Sequence, residues 1–318
     1  MAMSNKSGDT GDSWHGQVQE LSAGRRMLWT GNEDFPFICC EDDLEQVEIP
    51  WHWQDKIEVG IVLQGSVEVS VEAERYTLSE GDGYFVNCDA LNSCRQITDT
   101  PGKCSIRILI FDPAIIGGSD NNVFYDSYVD PIIKNNALKG LFLSKDEPWQ
   151  KEIIRLAECC IEYCISSDED IENKIRNTLP QMLFLLASHS TSDMRLISGK
   201  EAKDAERIRM MLSYIDEFYR EDINVKILAD SAEISESEVM RCFHNMLGTT
   251  PIQYVKNYRI RKAAELLKVS DDKIVDIAIE CGFQDMSYFA KSFREAKGIT
   301  PTDFRALYKK CDEAESQD

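Results

Sequence analysis

The chain has 318 residues, of which 43% are hydrophobic and 29% are charged, and its formal net charge is −21. This length allows two or three domains with cores of their own, and the composition is that of a soluble globular protein. No apolar run approaches the roughly 20 residues of a membrane-spanning helix, and the N-terminal MAMSNKSGDTGDSWHG lacks the apolar segment of a secretory signal, so we expect a cytoplasmic protein without membrane contact.

The cysteine pattern argues against a disulfide scaffold and against a zinc site. The chain has 11 cysteines, which is an odd number, and the adjacent pairs Cys39–Cys40 and Cys159–Cys160 are poorly spaced for zinc ligation. We expect buried free thiols that act as small hydrophobic side chains, with a redox switch as the alternative.

Residues 1–24 predict a flexible tail, and residues 25–125 show the pattern of short strands. In GSVEVSVEAERYTL, Val67, Val69 and Val71 alternate with polar residues, which is the period of a half-buried strand. Glycines and the pair Asp112–Pro113 separate this strand from others such as CSIRILIF. Many short strands at this spacing predict an antiparallel sandwich or barrel.

In residues 126–190 the hydrophobic period becomes helical. PWQKEIIRLAECCIEYCISS and DIENKIRNTLPQMLFLLASHS both place apolar residues on one helical face. We predict a dimerisation segment that uses the helix at 149–164, although a helix buried inside its own domain has the same pattern. The polar residues 191–204 predict a linker, residues 205–311 an all-helical domain, and residues 312–318 an acidic tail.

The positive charge of the chain is concentrated where the sequence repeats. Residues 241–310 carry 13 Lys/Arg against 8 Asp/Glu, whereas residues 1–240 carry 22 against 44. Within ADSAEISESEVMRCFHNMLGTTP and IECGFQDMSYFAKSFREAKGITP, Phe, Gly and Pro recur at the same spacing. Contact with phosphate groups is therefore electrostatically favourable in the repeat and unfavourable elsewhere.

Each copy of the repeat predicts a helix-turn-helix motif. Ser235 and Asp285 have the character of N-caps, and Gly248 and Gly298 that of C-caps, so that a short helix, a turn and a capped second helix follow one another. The copies are joined by PIQYVKNYRIRKAAELLK, roughly 25 Å of helix at about 1.5 Å per residue. A rod of that length suits two recognition helices in successive major grooves, about 34 Å apart.

Each recognition helix has an apolar face directed inward and a polar face directed outward. Val239 and Phe243 lie four residues apart in the first, as do Phe289 and Phe293 in the second, so each pair shares one face. The residues predicted to face DNA are Ser237, Arg241 and His244 in the first helix and Ser287, Lys291 and Arg294 in the second.

The strings LADSAEISESEVMRCFHNMLGTTPIQYV and IAIECGFQDMSYFAKSFREAKGITPTDFR resemble the DNA-binding domain of the AraC/XylS family of bacterial transcription regulators. The resemblance covers residues 206–310 and implies double-stranded DNA and RNA polymerase as partners and a role as an activator. It also implies that base-facing positions fall on Ser237, Arg241, Met286, Ser287 and Lys291.

Two departures from the family pattern affect the first motif. Glu233 occupies the turn position where the family usually has Gly, at a strain of about 1 kcal/mol if its backbone is left-handed. Glu236 and Glu238 place negative charge at the start of the first recognition helix, which suits the helix dipole but repels DNA phosphate. We therefore expect the first recognition helix to bind DNA less strongly than the second.

The segment IPWHWQDKIEVGIVLQG resembles the opening motif of the cupin-like barrel that precedes many such domains. Metal-binding cupins use three His and one Glu, and His52 and Glu58 match two of these positions. Gln54 and Asn92 stand at the other two, and amides are poor ligands for a transition metal. We therefore expect no metal, no cofactor and no catalytic residue, which makes a cupin-type metalloenzyme the remote alternative.

These observations together predict an α+β multidomain protein, with an N-terminal cupin-like antiparallel β-barrel followed by helices and a C-terminal all-α domain with tandem helix-turn-helix motifs. We expect a homodimeric regulator controlled by a small polar effector, possibly a sugar, bound in the barrel. The alternative is a barrel that binds no ligand and serves only for dimerisation, with its tryptophans in packing roles. The predicted effector-binding residues are Trp51, His52, Trp53, Gln54, Glu58 and Asn92.

Overall fold

A computed structural model of the chain describes residues 25–45, 48–97, 102–116, 123, 125–135, 137–166, 170–189 and 199–306. The chain divides into an N-terminal unit, Met1–Ser198, and a C-terminal unit, Gly199–Asp318. The predicted tails at 1–24 and 312–318, and residues 191–198 of the predicted linker, lie outside the described residues. Across these described ranges, no helix is both long and apolar enough to cross a bilayer.

The N-terminal unit is built on antiparallel strands in two sheets. The strands are β1 (Arg25–Thr30), β2 (Phe37–Asp43), β3 (Ile49–His52), β4 (Ile57–Gln64), β5 (Ser66–Val71), β6 (Glu74–Ser79), β7 (Gly83–Val86), β8 (Asn92–Gln96), β9 (Ser105–Phe111) and β10 (Gly140–Leu143). One sheet has the order β1-β2-β9-β4-β7-β10 and the other the order β3-β8-β5-β6.

The space between the two sheets is filled by residues that alternate along the strands. Val67 and Val69 of β5 pack there against Ile106 and Ile108 of β9, and all four are buried. Since successive side chains of a strand point to opposite faces, the alternation in GSVEVSV places the valines inward. The predicted antiparallel two-layer β domain is confirmed.

The opposite face of the six-stranded sheet is covered by helices. They are a 3₁₀ turn (Pro113–Ile116), a π-helical turn (Tyr125–Val129), α1 (Asp130–Ile133), α2 (Pro148–Ile165) and α3 (Ile171–His189). Leu109 and Phe111 of β9 face these helices, so both faces of this strand are buried. The apolar stripe that suggested a dimer surface at 149–164 is buried in this same core, as in the alternative that the sequence left open.

The cysteines that the structure describes carry free thiols. Cys88 and Cys159 are half-buried, and the others are buried. For these others, the expectation of small buried hydrophobic side chains is confirmed.

The C-terminal unit is helical throughout its described residues. Its helices are α4 (Gly199–Phe218), α5 (Val225–Ser231), α6 (Glu236–Cys242), α7 (Pro251–Val269), α8 (Ile274–Glu280) and α9 (Met286–Lys297), with a π-helical turn (Phe243–Leu247) after α6 and helical residues at 301–306. Residues 199–204, which we assigned to the linker, belong to α4, because Lys, Glu and Ala are strong helix formers.

The caps of the two recognition helices, α6 and α9, are those that the sequence predicts. Ser235 and Glu238 form a capping box at α6, and the Asp285 side chain accepts a hydrogen bond from the Tyr288 backbone at 2.7 Å. Gly248 and Gly298 end the two copies with φ values of 65° and 76°. These local interactions fix where each helix begins and ends.

The two turns before the recognition helices differ in their tolerance of a side chain. Glu233 has a φ of 53° and Gly282 a φ of 82°, so both are left-handed. A Cβ atom at Gly282 would lie 2.8 Å from the carbonyl oxygen of Tyr219 and 2.9 Å from that of Arg220, whereas Glu233 is exposed. The second turn thus requires Gly for two reasons, and the first accepts Glu at the cost of backbone strain.

We predict that Glu233→Gly stabilises the C-terminal unit by about 0.5–1 kcal/mol, because the relief of left-handed strain outweighs the entropy of the added Gly. Glu233→Ala keeps the Cβ atom and should gain nothing, whereas Gly282→Ala should destabilise. The measurement is urea unfolding of the full chain followed by circular dichroism at 222 nm. Tryptophan fluorescence is the internal control, since all 5 tryptophans lie in residues 1–198 and should report an unchanged transition.

Candidate functional site

The outward face of α6 combines polar and apolar side chains. Ser237, Met240 and His244 are exposed, and Arg241 is half-exposed. On the opposite face, Val239 is fully buried in the unit. Ser237 and Arg241 thus lie on α6 beside Met240, whereas His244, which we predicted in the same helix, lies in the π-helical turn that follows it.

The outward face of α9 is cationic. Ser287, Lys291 and Arg294 are exposed, and Met286 is half-buried at the start of the helix. The Lys291 side chain is 76% exposed, and its Nζ atom lies 3.9 Å from Glu295 Oε1 in an ion pair of low energy. Phe289 and Phe293 are fully buried on the other face.

Arg241, by contrast, is held by a carboxylate of its own unit. Its two terminal nitrogens donate to Asp204 of α4 at 2.6 and 2.8 Å, which is a bidentate pair. Asp204 is only 6% exposed. The hydrogen bonds from Arg241 hold the pKa of Asp204 below its usual value, and the same bonds raise the pKa of Arg241.

A second arginine extends this ion-pair cluster to the start of α6. Arg207 of α4 donates to Glu238 at 3.2 Å and to Asp204 at 3.4 Å. Glu238 is also the acidic member of the capping box with Ser235. The first recognition helix is thus fixed to α4 at its first turn and at Arg241.

The N-terminal unit contains a buried polar cluster around Glu58 of β4. The Tyr84 hydroxyl donates to Glu58 Oε1 at 2.8 Å, and the Gln54 amide donates to Oε2 at 2.9 Å. Burial by itself raises the pKa of Glu58, but the interactions with His52 and Tyr84 outweigh it, so that the pKa lies below the usual value. Glu58 is therefore an ionised carboxylate in the interior of the barrel.

His52 completes the cluster from the four-stranded sheet. Its Nδ1 atom lies 2.8 Å from the Pro50 carbonyl oxygen, and its Nε2 atom lies 3.8 Å from Glu58 Oε2. Asn92 is the partner of His52 across strands β3 and β8.

Four of the six predicted effector-binding residues thus lie close together, namely His52, Gln54, Glu58 and Asn92. Trp51 and Trp53 are half-buried, and their role as aromatic contacts stays a prediction. The Gln54 side chain directs its amide nitrogen toward Glu58, and an amide nitrogen is not a metal ligand. Among the described residues, no three His, Cys, Asp or Glu side chains are grouped as metal ligands.

Tyr84 and Gly60 belong to this cluster although the sequence analysis did not single them out. Gly60 of β4 is directly opposite Tyr84 of β7, and a Cβ atom at Gly60 would lie 2.1 Å from the Tyr84 ring. The ring crosses the strand at Gly60 and reaches Glu58 two residues away. A Gly inside a strand is a signal of close approach by another group, and it could have identified this contact.

Two family models match the chain. An AraC-like ligand binding domain matches residues 35–159, and a helix-turn-helix domain matches residues 228–307. The chain is 27% identical over 290 residues to the uncharacterized HTH-type transcriptional regulator YdeC of Bacillus subtilis, covering 86% of this chain and 93% of that protein. It is 29% identical to the HTH-type transcriptional activator RhaS of Escherichia coli O9:H4, covering 84% and 91%.

Among solved structures, the DNA-binding domain of AdpA in complex with a target DNA is 28% identical to the chain. That similarity covers 32% of this chain and 93% of the AdpA domain, with a TM-score of 0.32.

We predict that Tyr84→Phe destabilises the N-terminal unit by about 1.5–3 kcal/mol, the value of a hydrogen bond to a charged group. The depressed pKa of Glu58 contributes stability above the ordinary glutamate value of about 4.5, and this contribution is lost as the pH falls through the depressed value. The deficit of Tyr84→Phe should therefore be present at pH 7 and shrink in acid. Urea unfolding followed by tryptophan fluorescence measures it.

The matched control is Tyr76→Phe, which changes a half-buried tyrosine of the four-stranded sheet. If Tyr84→Phe lowers the free energy of unfolding no more than Tyr76→Phe at pH 7, the hydrogen bond between Tyr84 and Glu58 makes no charge-dependent contribution to stability. The same conclusion follows if the loss does not change with pH.

Proposed function

Because the chain belongs to the AraC/XylS family of transcriptional regulators, we propose that it inserts α6 and α9 into two successive major grooves of DNA. Its helix-turn-helix domain is the DNA-binding part, and its N-terminal domain is the ligand-binding part. The observation that carries the proposal is the outward face of α9, where Lys291 and Arg294 are exposed over a core made by Phe289 and Phe293.

Two further features of the C-terminal unit support the proposed insertion of α6 and α9 into two successive grooves. The connecting helix α7 has 19 residues, which is about 28 Å at 1.5 Å per residue and suits the spacing of one DNA turn. Both recognition helices also present equivalent outward positions. The residues that the sequence predicts to contact DNA are Ser237, Arg241 and His244 of the first copy and Met286, Ser287, Lys291 and Arg294 of the second. We propose these contacts for all of them except Arg241, which is paired with Asp204.

We further propose that the protein is a cytoplasmic transcriptional activator that acts with RNA polymerase as a homodimer. Several relatives at 23–29% identity are named transcriptional activators. Two linked DNA-binding domains increase affinity through effective concentration, which supports the dimer.

The proposed effector is a small polar molecule such as a sugar, bound at the cluster around Glu58. The Gln54 Oε1 atom is buried and has no hydrogen-bond donor among the described residues, so a ligand hydroxyl would satisfy it. An ionised Glu58 disfavours an anionic ligand. The alternative of a barrel that serves only for dimerisation is supported by the two donors, Tyr84 and Gln54, that Glu58 already has.

A panel of neutral sugars, polyols and organic acids separates these two functions. We expect at least one neutral polyhydroxyl compound to raise the unfolding temperature of the full chain, since a ligand that binds only the native state stabilises it. Gln54→Met removes the buried acceptor at similar volume and should abolish the shift, whereas Gln64→Met changes an exposed residue of β4 and should keep it. A barrel that only dimerises gains no stability from any compound in the panel.

The DNA contacts are tested by binding isotherms at several salt concentrations, on a duplex selected from a random library and on random DNA. We expect Lys291→Ala to weaken specific binding by about 1–3 kcal/mol and to relax the preference at one base pair. Arg241→Ala should affect DNA binding less and should destabilise the C-terminal unit, because Asp204 is left buried without its partner. Lys151→Ala, an exposed lysine of α2, is the matched control.

Glu236→Gln tests whether the negative charge of Glu236 weakens DNA binding. It should strengthen binding modestly, and mostly at low salt, where the repulsion between Glu236 and phosphate is least screened. Unchanged specific binding in both Lys291→Ala and Arg241→Ala would show that the assigned faces are wrong. Weaker binding of Glu236→Gln would mean that Glu236 accepts a hydrogen bond from a base.

A further inference from the structure

The two recognition helices present the same four outward positions with different chemistry. Counted from the N-caps Ser235 and Asp285, these positions follow at intervals of three, one and three residues. The first three share one face of α6 and of α9, and the fourth lies in the π-helical turn after α6 and within α9. The equivalent residues are Ser237 and Ser287, Met240 and Ala290, Arg241 and Lys291, and His244 and Arg294.

The first helix has no free cation equivalent to Lys291. Arg241 makes a bidentate pair with Asp204, whose side chain is buried, and Arg207 turns toward the same carboxylate. Moving Arg241 to a phosphate would leave the buried Asp204 carboxylate with only the longer contacts from Arg207 at 3.4 Å and Cys242 at 3.6 Å, which is unfavourable. Glu236 and Glu238 at the start of the helix further disfavour phosphate contact.

The exposed side chain that remains in the centre of this face is apolar. Met240 is 42% exposed, and its neighbour on the same face, Ser237, is small. The apolar group that the major groove presents is the C5-methyl of thymine, and it is recognised by apolar side chains. The flexible thioether of Met adapts to such a contact.

Resting on the proposed function, we propose that the first recognition helix reads its groove through an apolar contact from Met240 to a thymine methyl group, while Asp204 holds Arg241 away from the phosphates. Asp204 is then a positioning residue and Met240 a specificity-determining one. The first helix contributes sequence preference with little salt dependence, and the second contributes most of the charge.

The test uses the full chain and a duplex selected from a random library by the wild-type protein. Each thymine is replaced in turn by deoxyuridine, which removes only the methyl group. We expect one position at which this replacement weakens wild-type binding about fourfold, the value of one buried methyl group. Met240→Ala should weaken binding to the thymine duplex by a similar factor and should be indifferent to deoxyuridine at that position.

Met210→Ala is the matched control, since Met210 of α4 is 43% exposed and lies outside the recognition helices. It should keep the full wild-type response to deoxyuridine. A Met240→Ala protein that also keeps the full response at every thymine overturns the proposal. If the wild-type protein selects no duplex at all, the proposed function fails, which is a different result from the loss of this one contact.

The role of Asp204 is tested by the salt dependence of binding. Asp204→Asn weakens the ion pair with Arg241, so that Arg241 can contact phosphate. We expect the slope of log affinity against log salt concentration to steepen by about 0.9 for each new phosphate contact. Arg241→Ala should leave the wild-type slope unchanged. A slope flattened by Arg241→Ala would show that Arg241 already contacts phosphate in the wild-type complex and would overturn this half of the proposal, even if Asp204→Asn failed to fold.

Discussion

The ion pair between Asp204 and Arg241 determines how the first half of the C-terminal unit is organised. A carboxylate that is 6% exposed has to be paired, and the bidentate guanidinium supplies that partner at 2.6 and 2.8 Å. The pair joins α4 to α6. Arg241 therefore connects the first recognition helix to α4, and our proposal is that the same pair keeps it from the phosphates of DNA.

At the turn of the second half of the unit, the contacts are of a different kind. There, Gly282 packs against the backbone of residues 219–220, and Phe283 contacts Phe289 with ring centroids 5.0 Å apart. Backbone contact and aromatic packing replace the ion pair, so Lys291 stays exposed. The first turn, with Glu233 in a left-handed conformation, also reaches its N-cap one residue sooner than the second. The duplicated motif thus has two different structural supports and two different surfaces.

The features that the sequence predicts well are those set by neighbours in the chain. Ser235, Asp285, Gly248 and Gly298 act within one helical turn, and the period of the apolar residues decides which face is buried. The partners of Arg241 and Glu58 are not accessible in this way, since Asp204 is 37 residues from Arg241 and Tyr84 is 26 from Glu58. An outward position on a helical wheel indicates exposure but does not exclude a partner on another helix. The start of α4 was missed because Gly199 and its polar neighbours also fit a linker.

The Glu58 cluster of the barrel shows the same principle, since Tyr84 and Glu58 lie 26 residues apart in the sequence. Both oxygens of Glu58 already accept hydrogen bonds from Tyr84 and Gln54, so a ligand gains little by reaching the carboxylate itself. Among the residues that the structure describes, Gln54 Oε1 has no hydrogen-bond donor, and His52 Nε2 lies 3.8 Å from Glu58 Oε2. A ligand hydroxyl can donate to Gln54 Oε1, whereas a carboxylate offers no donor and adds a second negative charge beside Glu58. This difference is the physical basis of our proposal that the effector is neutral and hydroxylated rather than an acid.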